Sequence, residues 1–435
     1  MSQFHLGWFN GAGFSLNGWG SPSFGTGYEP WEPGMFQDGI RILERGGFDF
    51  MIFEDSSMVP ETYGGSPEFY LNRGIMAPKL DPVPLVPYLA LATKHIGIVP
   101  TLTTGFYHPW LLARLMTTLD HLTKGRIGWN IVTATTQLAW SNYGMTQPPH
   151  DERYNLADEF VEVAKKLWDS FPASAEVLDP ETGIAYTAAD VHPIHFEGKY
   201  FSSRGPLNAP PGPQRQPVLF QAGGSPAGRR FAAKNAEVVI ASCTSVKDMK
   251  EYYADVKEYA VSIGRDPSTV KVMFTTGVVL GHSESEAQAQ AEQRREGIKK
   301  NYAMQMAGIS NITGIDFSKL DLDEPLPELT TNGSQSSLKE FLSTAEPGST
   351  LRQVLESKAN VGIMGLPFIG TADSIAGQMQ DVMAEVGGDG FLFGSSISPD
   401  YMTSVVDRVV PALRKRGLVR TGYDHATFRE NVMEF

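Results

Sequence analysis

The sequence predicts a single (β/α)8 TIM barrel with insertions, on three observations. Eight short apolar or β-branched runs begin near residues 5, 48, 96, 126, 217, 237, 271 and 390. Helical periodicity fills most of the gaps between them, and strands that alternate with amphipathic helices indicate parallel βαβ units. Polar residues collect where several of the runs end, which is where a barrel keeps its ligand-contacting side chains. At 435 residues, with 41% hydrophobic and 20% charged content, the chain is long enough for one inserted barrel and has an ordinary soluble composition.

Taken in order, the run at 5–9 opens the barrel and leads into a Gly-, Ser- and aromatic-rich stretch, 10–33, of a length that is usually functional or disordered. Residues 37–46 give an amphipathic helix stopped by the Gly46-Gly47 pair, and 48–54 a strand ending at Asp55. An irregular insertion over about 56–79 precedes a helix at 83–93 and a strand at 96–102. Thr101, Thr103 and Thr104 stand at its end, and alternation puts Thr101 and Thr103 on one face with Thr104 turned away. A helix at 110–122 leads to RIGWNIVT, 126–133, which reads as a buried strand with Asn130 and Thr133 at its tip. His150-Asp151-Glu152-Arg153-Tyr154 precedes a periodic helix at 156–168. His150 and Tyr154 are four apart and share a face if the helix has already begun.

The Pro-rich, Gly-broken stretch 173–208 reads as a hairpin insertion. Barrel logic resumes with a strand at 217–222 and the turn Gly223-Gly224-Ser225-Pro226, which opens a helix. Strands at 237–242 and 271–279 flank a helix at 246–263. A helix at 283–306, a loop-rich insertion over 308–353, a helix at 373–386, a last strand at 391–393 and a helix at 405–416 complete a single domain, 1–435.

The formal charge of −13, without any Lys/Arg-rich run, argues against a nucleic-acid partner. The one cysteine, Cys243, can form neither an intrachain disulfide nor a thiolate metal site, which fits a reducing cytoplasm. It reads as a small buried hydrophobe. No signal peptide and no apolar run long enough to span a membrane is visible. His192 and His195 lack a partner at ligand spacing, so no metal site is expected.

RIGWNIVT, HDERY and DEFVEVAKKLWDSF resemble the nitrilotriacetate monooxygenase component A branch of the bacterial-luciferase-like flavin monooxygenases, which also includes dibenzothiophene sulfone and dimethyl sulfide monooxygenases. ILERGGFDFMIFED, LDHLTKGRIGWN, FQAGGSPAGRRFAAKNAE and RVVPALRKRGLVRTGY carry the same resemblance in family order over nearly the whole chain. The resemblance implies the oxygenase component of a two-component system. A separate NAD(P)H:flavin reductase supplies reduced FMN, oxygen adds to give a peroxyflavin, and a small organic substrate is oxygenated, with the protein excluding water. A homodimer or homotetramer is expected. A deazaflavin-dependent oxidoreductase and a non-enzymatic flavin-binding barrel on the same scaffold stay open.

On residues alone Ser225 reads as a helix N-cap, and a helix N-terminus beside glycines can also hold a phosphate. The resemblance places Ser225, with Gly224, on the FMN phosphate, and extends the cofactor set to Asp55, Thr101 or Thr103, Asn130, His150 and Tyr154. Glu54 departs from the usual family text, so either carboxylate could face the site. His108 and His150 are candidate proton donors, since imidazole titrates near neutrality. The first long loop lacks the His and the Trp-Arg of many relatives. With Phe9, Phe14, Trp19, Phe106 and Trp140 expected around the mouth, an apolar, aromatic or sulfur-containing substrate follows. These aromatics could equally be core.

Overall fold

The computed structural model describes residues 3–15, 28–29, 31–343, 345–361, 365–395 and 398–435. Eight parallel strands form a ring: β1 His5–Asn10, β2 Phe50–Phe53, β3 Gly97–Thr103, β4 Gly128–Val132, β5 Val218–Gln221, β6 Val238–Ala241, β7 Lys271–Leu280 and β8 Gly390–Ser395. The ring shuts because β8 pairs with both β1 and β7, with Trp8 opposite Phe393 and Thr275 opposite Leu392. These are the eight strands the periodicity indicates.

Alternating side chains build two apolar layers. Phe50, Val99, Phe220, Met273 and Leu392 fill the barrel interior. Trp8, Trp129, Phe391 and Phe393 face outward against helices through Phe36, Leu112 and Phe160. The interior is tight enough to need glycine, because a Cβ on Gly7 would come within 2.5 Å of the Phe50 ring.

The N-terminal end of the barrel is closed. The helix Phe428–Val432, fixed by a Thr427/Glu430 capping box, places Phe428 6.0 Å from the rings of both Phe50 and Phe220. Beside it Asp49 accepts from Leu6 N at 3.0 Å and pairs with His5 and, at 2.8 Å, with Arg420. Burial alone would raise that carboxyl, yet the two basic partners hold it below the ordinary range.

Four expectations need adjustment. Segment 308–353 is mostly irregular, as a loop-rich insertion should be, but it also holds Gln335–Phe341, the start of Leu351–Val361 and a 3-10 turn at Phe317–Lys319, and it carries its own core of Phe317, Leu338, Phe341 and Leu351. Its short helices hide among prolines and serines, so no period shows. The helix expected at 283–306 breaks into Glu284–Lys299 and Tyr302–Thr313 at Asn301. An extra strand, Leu366–Gly370, pairs along the outer half of the long β7. Finally, the helix at 156–168 starts earlier, as His150–Asp169, with Asp151 and Glu152 in its first turn, where they favour the helix dipole.

Candidate functional site

The inward residues at the strand tips form the floor of a cavity of about 600 Å³ at the C-terminal mouth. Phe9 comes from β1, Ile52 from β2, Thr101 from β3, Asn130 from β4, Ile240 from β6, Thr275 from β7 and Leu392 from β8. Register sets the polar side of this floor, since Thr101 lies opposite Asn130 in the β3–β4 pairing. Thr101 Oγ1 donates to Phe53 O at 2.6 Å, and Asn130 Nδ2 donates to Thr101 Oγ1 at 2.8 Å. Asn130 Oδ1 is thereby left buried and without a partner among the described residues, as is Thr275 Oγ1 across the ring. Thr103 also lines the cavity, whereas the buried Thr104 does not, in keeping with alternation.

At the tip of β2 two adjacent carboxyls receive unlike surroundings. Glu54 is ion-paired with Lys79, whose Nζ also donates to Ser56 Oγ at 3.1 Å. Asp55 lines the cavity with no cation of its own, and burial pushes it up to about 7; Lys79 pulls it down, while Glu54 and Asp81 push it further up. Environments that separate the pKa values of two neighbouring carboxyls are a common way to keep one of them protonated.

Of the GGSP turn Gly224 lines the cavity, whereas Ser225 is buried behind it and, like Tyr154, is not among the lining residues. Ser225 accepts from Gly228 N at 3.1 Å and caps the helix Pro226–Asn235. The helix-cap reading is therefore a structural fact of this chain. Tyr252 donates to Gly223 O at 2.6 Å, and Arg229 Nε donates to Gly224 O at 3.2 Å while lying over the Tyr252 ring. A Cβ on Gly224 would come within 2.6 Å of Ser336 Cβ, so glycine is what lets the inserted helix pack onto this turn. Tyr154 approaches from the side, where a Cβ on Gly228 would be 2.8 Å from its hydroxyl. Burial raises the Tyr154 phenol, and the neighbouring polar side chains of Ser225 and Gln221 offset part of that.

The remaining expected site residues divide. Gly224 and Phe106 line the cavity, with Phe106 stacked 4.0 Å from Tyr143. Trp140 lies just behind, edge-on to Phe106 at 5.1 Å, its Nε1 donating to Ala134 O, and it is a buried packing residue. Phe14 is likewise core, edge-on to Phe36 at 5.0 Å. His150 is buried against Tyr154, with Nδ1 2.7 Å from Asp151, and is not among the lining residues. His108 is exposed and caps the helix Pro109–Thr123 through Nδ1, also outside the lining set. Trp19 lies outside the described residues. Cys243 is buried at the cavity edge, its thiol pushed up to about 12 by burial.

Three contributors escape sequence reasoning. Thr275 sits mid-way along the strand Lys271–Leu280, which is buried almost throughout and sets a second threonine, Thr276, next to it. Asn311 and the Ser334–Ser337 region reach the cavity from the insertion. Arg153 lies 1% exposed and donates to Pro148 O and Asn332 O, pinning that insertion to the start of the His150–Asp169 helix. HDERY gives this arginine away only in retrospect, since the partner that matters for the insertion, Asn332 O, is a backbone carbonyl far along the chain.

A closed parallel barrel with a cavity at its C-terminal mouth and unpaired polar atoms on the floor is the arrangement in which barrel enzymes hold small ligands. The chain belongs to the luciferase-like monooxygenase family, whose model matches residues 25–390. It is 36% identical to the dimethyl-sulfide monooxygenase of Hyphomicrobium sulfonivorans over 90% of this chain and 82% of that protein. It is 35% identical to nitrilotriacetate monooxygenase component A of Aminobacter aminovorans over 99% and 96% of the two chains. A crystal structure of riboflavin lyase with modified FMN and riboflavin superimposes with TM-score 0.88 at 30% identity, covering 100% of this chain and 96% of that one. The protein is accordingly a flavin-dependent monooxygenase.

Proposed function

We propose that the cavity binds reduced FMN delivered by a separate NAD(P)H:flavin reductase, and that the protein inserts one oxygen atom of O2 into a small, mainly apolar organic substrate. The observation that carries this reading is the pair of buried, unpartnered atoms Asn130 Oδ1 and Thr275 Oγ1 on an otherwise satisfied floor. Such atoms cost stability unless a ligand completes them. Asn130, Thr101, Thr103 and Asp55 would hold the ring, and Gly224, Ser225 and Arg229 the phosphate end, beside the amide-rich N-terminus of Pro226–Asn235. Tyr154 and His150 would position Ser225 from behind. Reduced flavin supplies the activation of oxygen; the chain's own part is to bind, orient and keep water out with Phe9, Phe106 and Met58. Asp55, pushed up to about 7 by burial, is partly protonated at neutrality and in that form can donate a hydrogen bond into the site.

The test is oxygen consumption: none with NADH and FMN alone, and consumption once any flavin reductase is added. Activity with NADH and no reductase would remove the two-component reading.

We also infer a cytoplasmic homo-oligomer, dimer or tetramer. Tyr88 and Leu91 on Leu85–Ala92, and Leu111 and Leu122 on the neighbouring Pro109–Thr123, are all exposed, Leu91 by 87%. An apolar face of this kind supports self-association. Sedimentation of Leu91→Lys should show a smaller species than the wild type.

A further inference from the structure

The inserted helix Tyr302–Thr313 brings one polar group into the cavity wall with half of its hydrogen-bonding capacity unused. Asn311 is 3% exposed and lines the cavity. Its Nδ2 donates to Met76 Sδ at 3.1 Å, while its Oδ1 has no partner among the described residues. Turning the amide over would set oxygen against sulfur, two acceptors face to face, so the sulfur contact fixes which end of the amide is left free. Met76 holds a left-handed backbone, φ 59°, which limits its own choice of position. Met58, Phe106, Ala139 and Ile312 add apolar surface to the same cavity. Asn130 and Thr275 lie on barrel strands and are accounted for by the cofactor; Asn311 comes from outside the strand set. The charged groups lining the cavity are Glu54, Asp55, Asp248, Glu251 and Glu340 against Arg229 and Lys339, with Glu54 paired to Lys79; once Arg229 is assigned to the FMN phosphate, Lys339 is the one lining cation left among the described residues, which disfavours a second, anionic ligand.

We propose that Asn311 Oδ1 accepts a hydrogen bond from the substrate, and that the substrate is an uncharged molecule with an apolar body and one hydroxyl or N–H donor. This rests on the monooxygenase reading and narrows its substrate class. A buried group that must find a partner discriminates far more strongly than an apolar wall, because the wrong ligand leaves it unpaired. A thioether or an alkane has no donor to offer, and a polycarboxylate meets the acidic lining.

The experiment uses matched probes, phenol against anisole and 1-hexanol against hexane, titrated calorimetrically into the protein with and without FMN. In the wild type the hydroxyl member of a pair binds about tenfold tighter or more. In Asn311→Leu, and in Asn311→Ala should the leucine variant fold poorly, the preference shrinks to about twofold or less, FMN affinity is unchanged, and the apoprotein melts no lower in the leucine variant because the unpaired acceptor is gone. Equal affinity within both pairs, including no measurable binding of either member, overturns the proposal. So does a preference that survives the substitution, or a loss of FMN affinity, which would assign the amide to the cofactor. Oxygen consumption with FMN and reductase is measured on the same samples. If it persists while the probe preference is absent, only the substrate assignment falls; if it too is absent, the underlying functional reading falls.

Discussion

The two ends of the barrel are built from the same strands and satisfy their polar groups in opposite ways. At the N-terminal end, buried charges meet partners supplied by the chain itself. Asp49 has His5, Arg420 and a backbone N–H, and Asp120 accepts from both Gln214 N and Gln214 Nε2 at 2.8 and 2.7 Å. Phe428 seals the opening. At the C-terminal end, Asn130 Oδ1, Thr275 Oγ1 and Asn311 Oδ1 are buried without partners, and Asp55 has no cation to itself. Atoms without a hydrogen bond occur at the N-terminal end too, His5 Nδ1, Asp49 Oδ1 and Arg420 Nε, but there they belong to groups joined in ion pairs, whereas the three at the mouth are neutral groups with no counterpart among the described residues. On the proposed function the mouth is the end that a ligand completes, in keeping with the division of labour in such barrels.

That contrast breaks most visibly at Asp49. Asp49→Ala strands Arg420 and His5 in the core, and removing one member of a buried pair costs roughly 3–5 kcal/mol. Chemical denaturation should show the loss, while the folded fraction binds FMN with unchanged affinity. At the opposite end, Ser225→Ala should weaken reduced-FMN binding about tenfold or more, since charge-assisted hydrogen bonds are worth roughly 1.5–3 kcal/mol. It should also lower stability by about 1 kcal/mol, through loss of the cap on Gly228 N. Unchanged affinity with lowered stability would leave Ser225 as a cap and nothing more. Asn130→Leu reverses the pattern: affinity falls several-fold, on the order of the 0.5–1.5 kcal/mol of a neutral hydrogen bond, and the apoprotein melts no lower.

Asp55 sharpens the comparison through pH. Its pKa lies at about 7 in the folded chain against 3.8 for the ordinary group, so between those values the folded state binds more protons than the unfolded state and stability falls as pH rises. Below that window both states are protonated, and above it the penalty is constant. Asp55→Asn should therefore remove this slope, equalling the wild type near the lower limit and exceeding it above the upper one. Parallel stability profiles for the two proteins would show that Asp55 is ionised and solvated after all. Asp49, whose pKa is depressed, contributes in the opposite sense, and its share of stability is lost as pH falls through the acid range.

The barrel was legible because each strand is an apolar run bounded by turn residues, and because alternation fixed which threonines face inward. Thr101, Thr103 and Asn130 stand on the cavity floor for that reason. Legibility failed where placement depends on distant chain. Asn311 and Ser336 reach the cavity because an insertion folds back over it, pinned by Arg153 to carbonyls of Asn332 and Gly333. No local pattern encodes that contact. Phe14 and Trp140 show the converse limit, since an aromatic near a predicted mouth carries no mark distinguishing a pocket wall from the layer behind it. His108 illustrates a third, in that a residue type suited to proton transfer serves here as a helix cap.

The most direct measurement is an anaerobic titration of the apoprotein with dithionite-reduced FMN, with the melting temperature recorded at each concentration for the wild type, Asn130→Leu, Ser225→Ala and Phe428→Leu. A ligand that binds only the folded state raises stability in proportion to the logarithm of its concentration above Kd. If the mouth is the end completed by ligand, the wild type and Phe428→Leu should show the same saturable upward shift from different starting temperatures, while Asn130→Leu and Ser225→Ala require higher concentrations to reach it. No shift in the wild type, or identical titration curves for the two mouth variants and the wild type, would contradict the account.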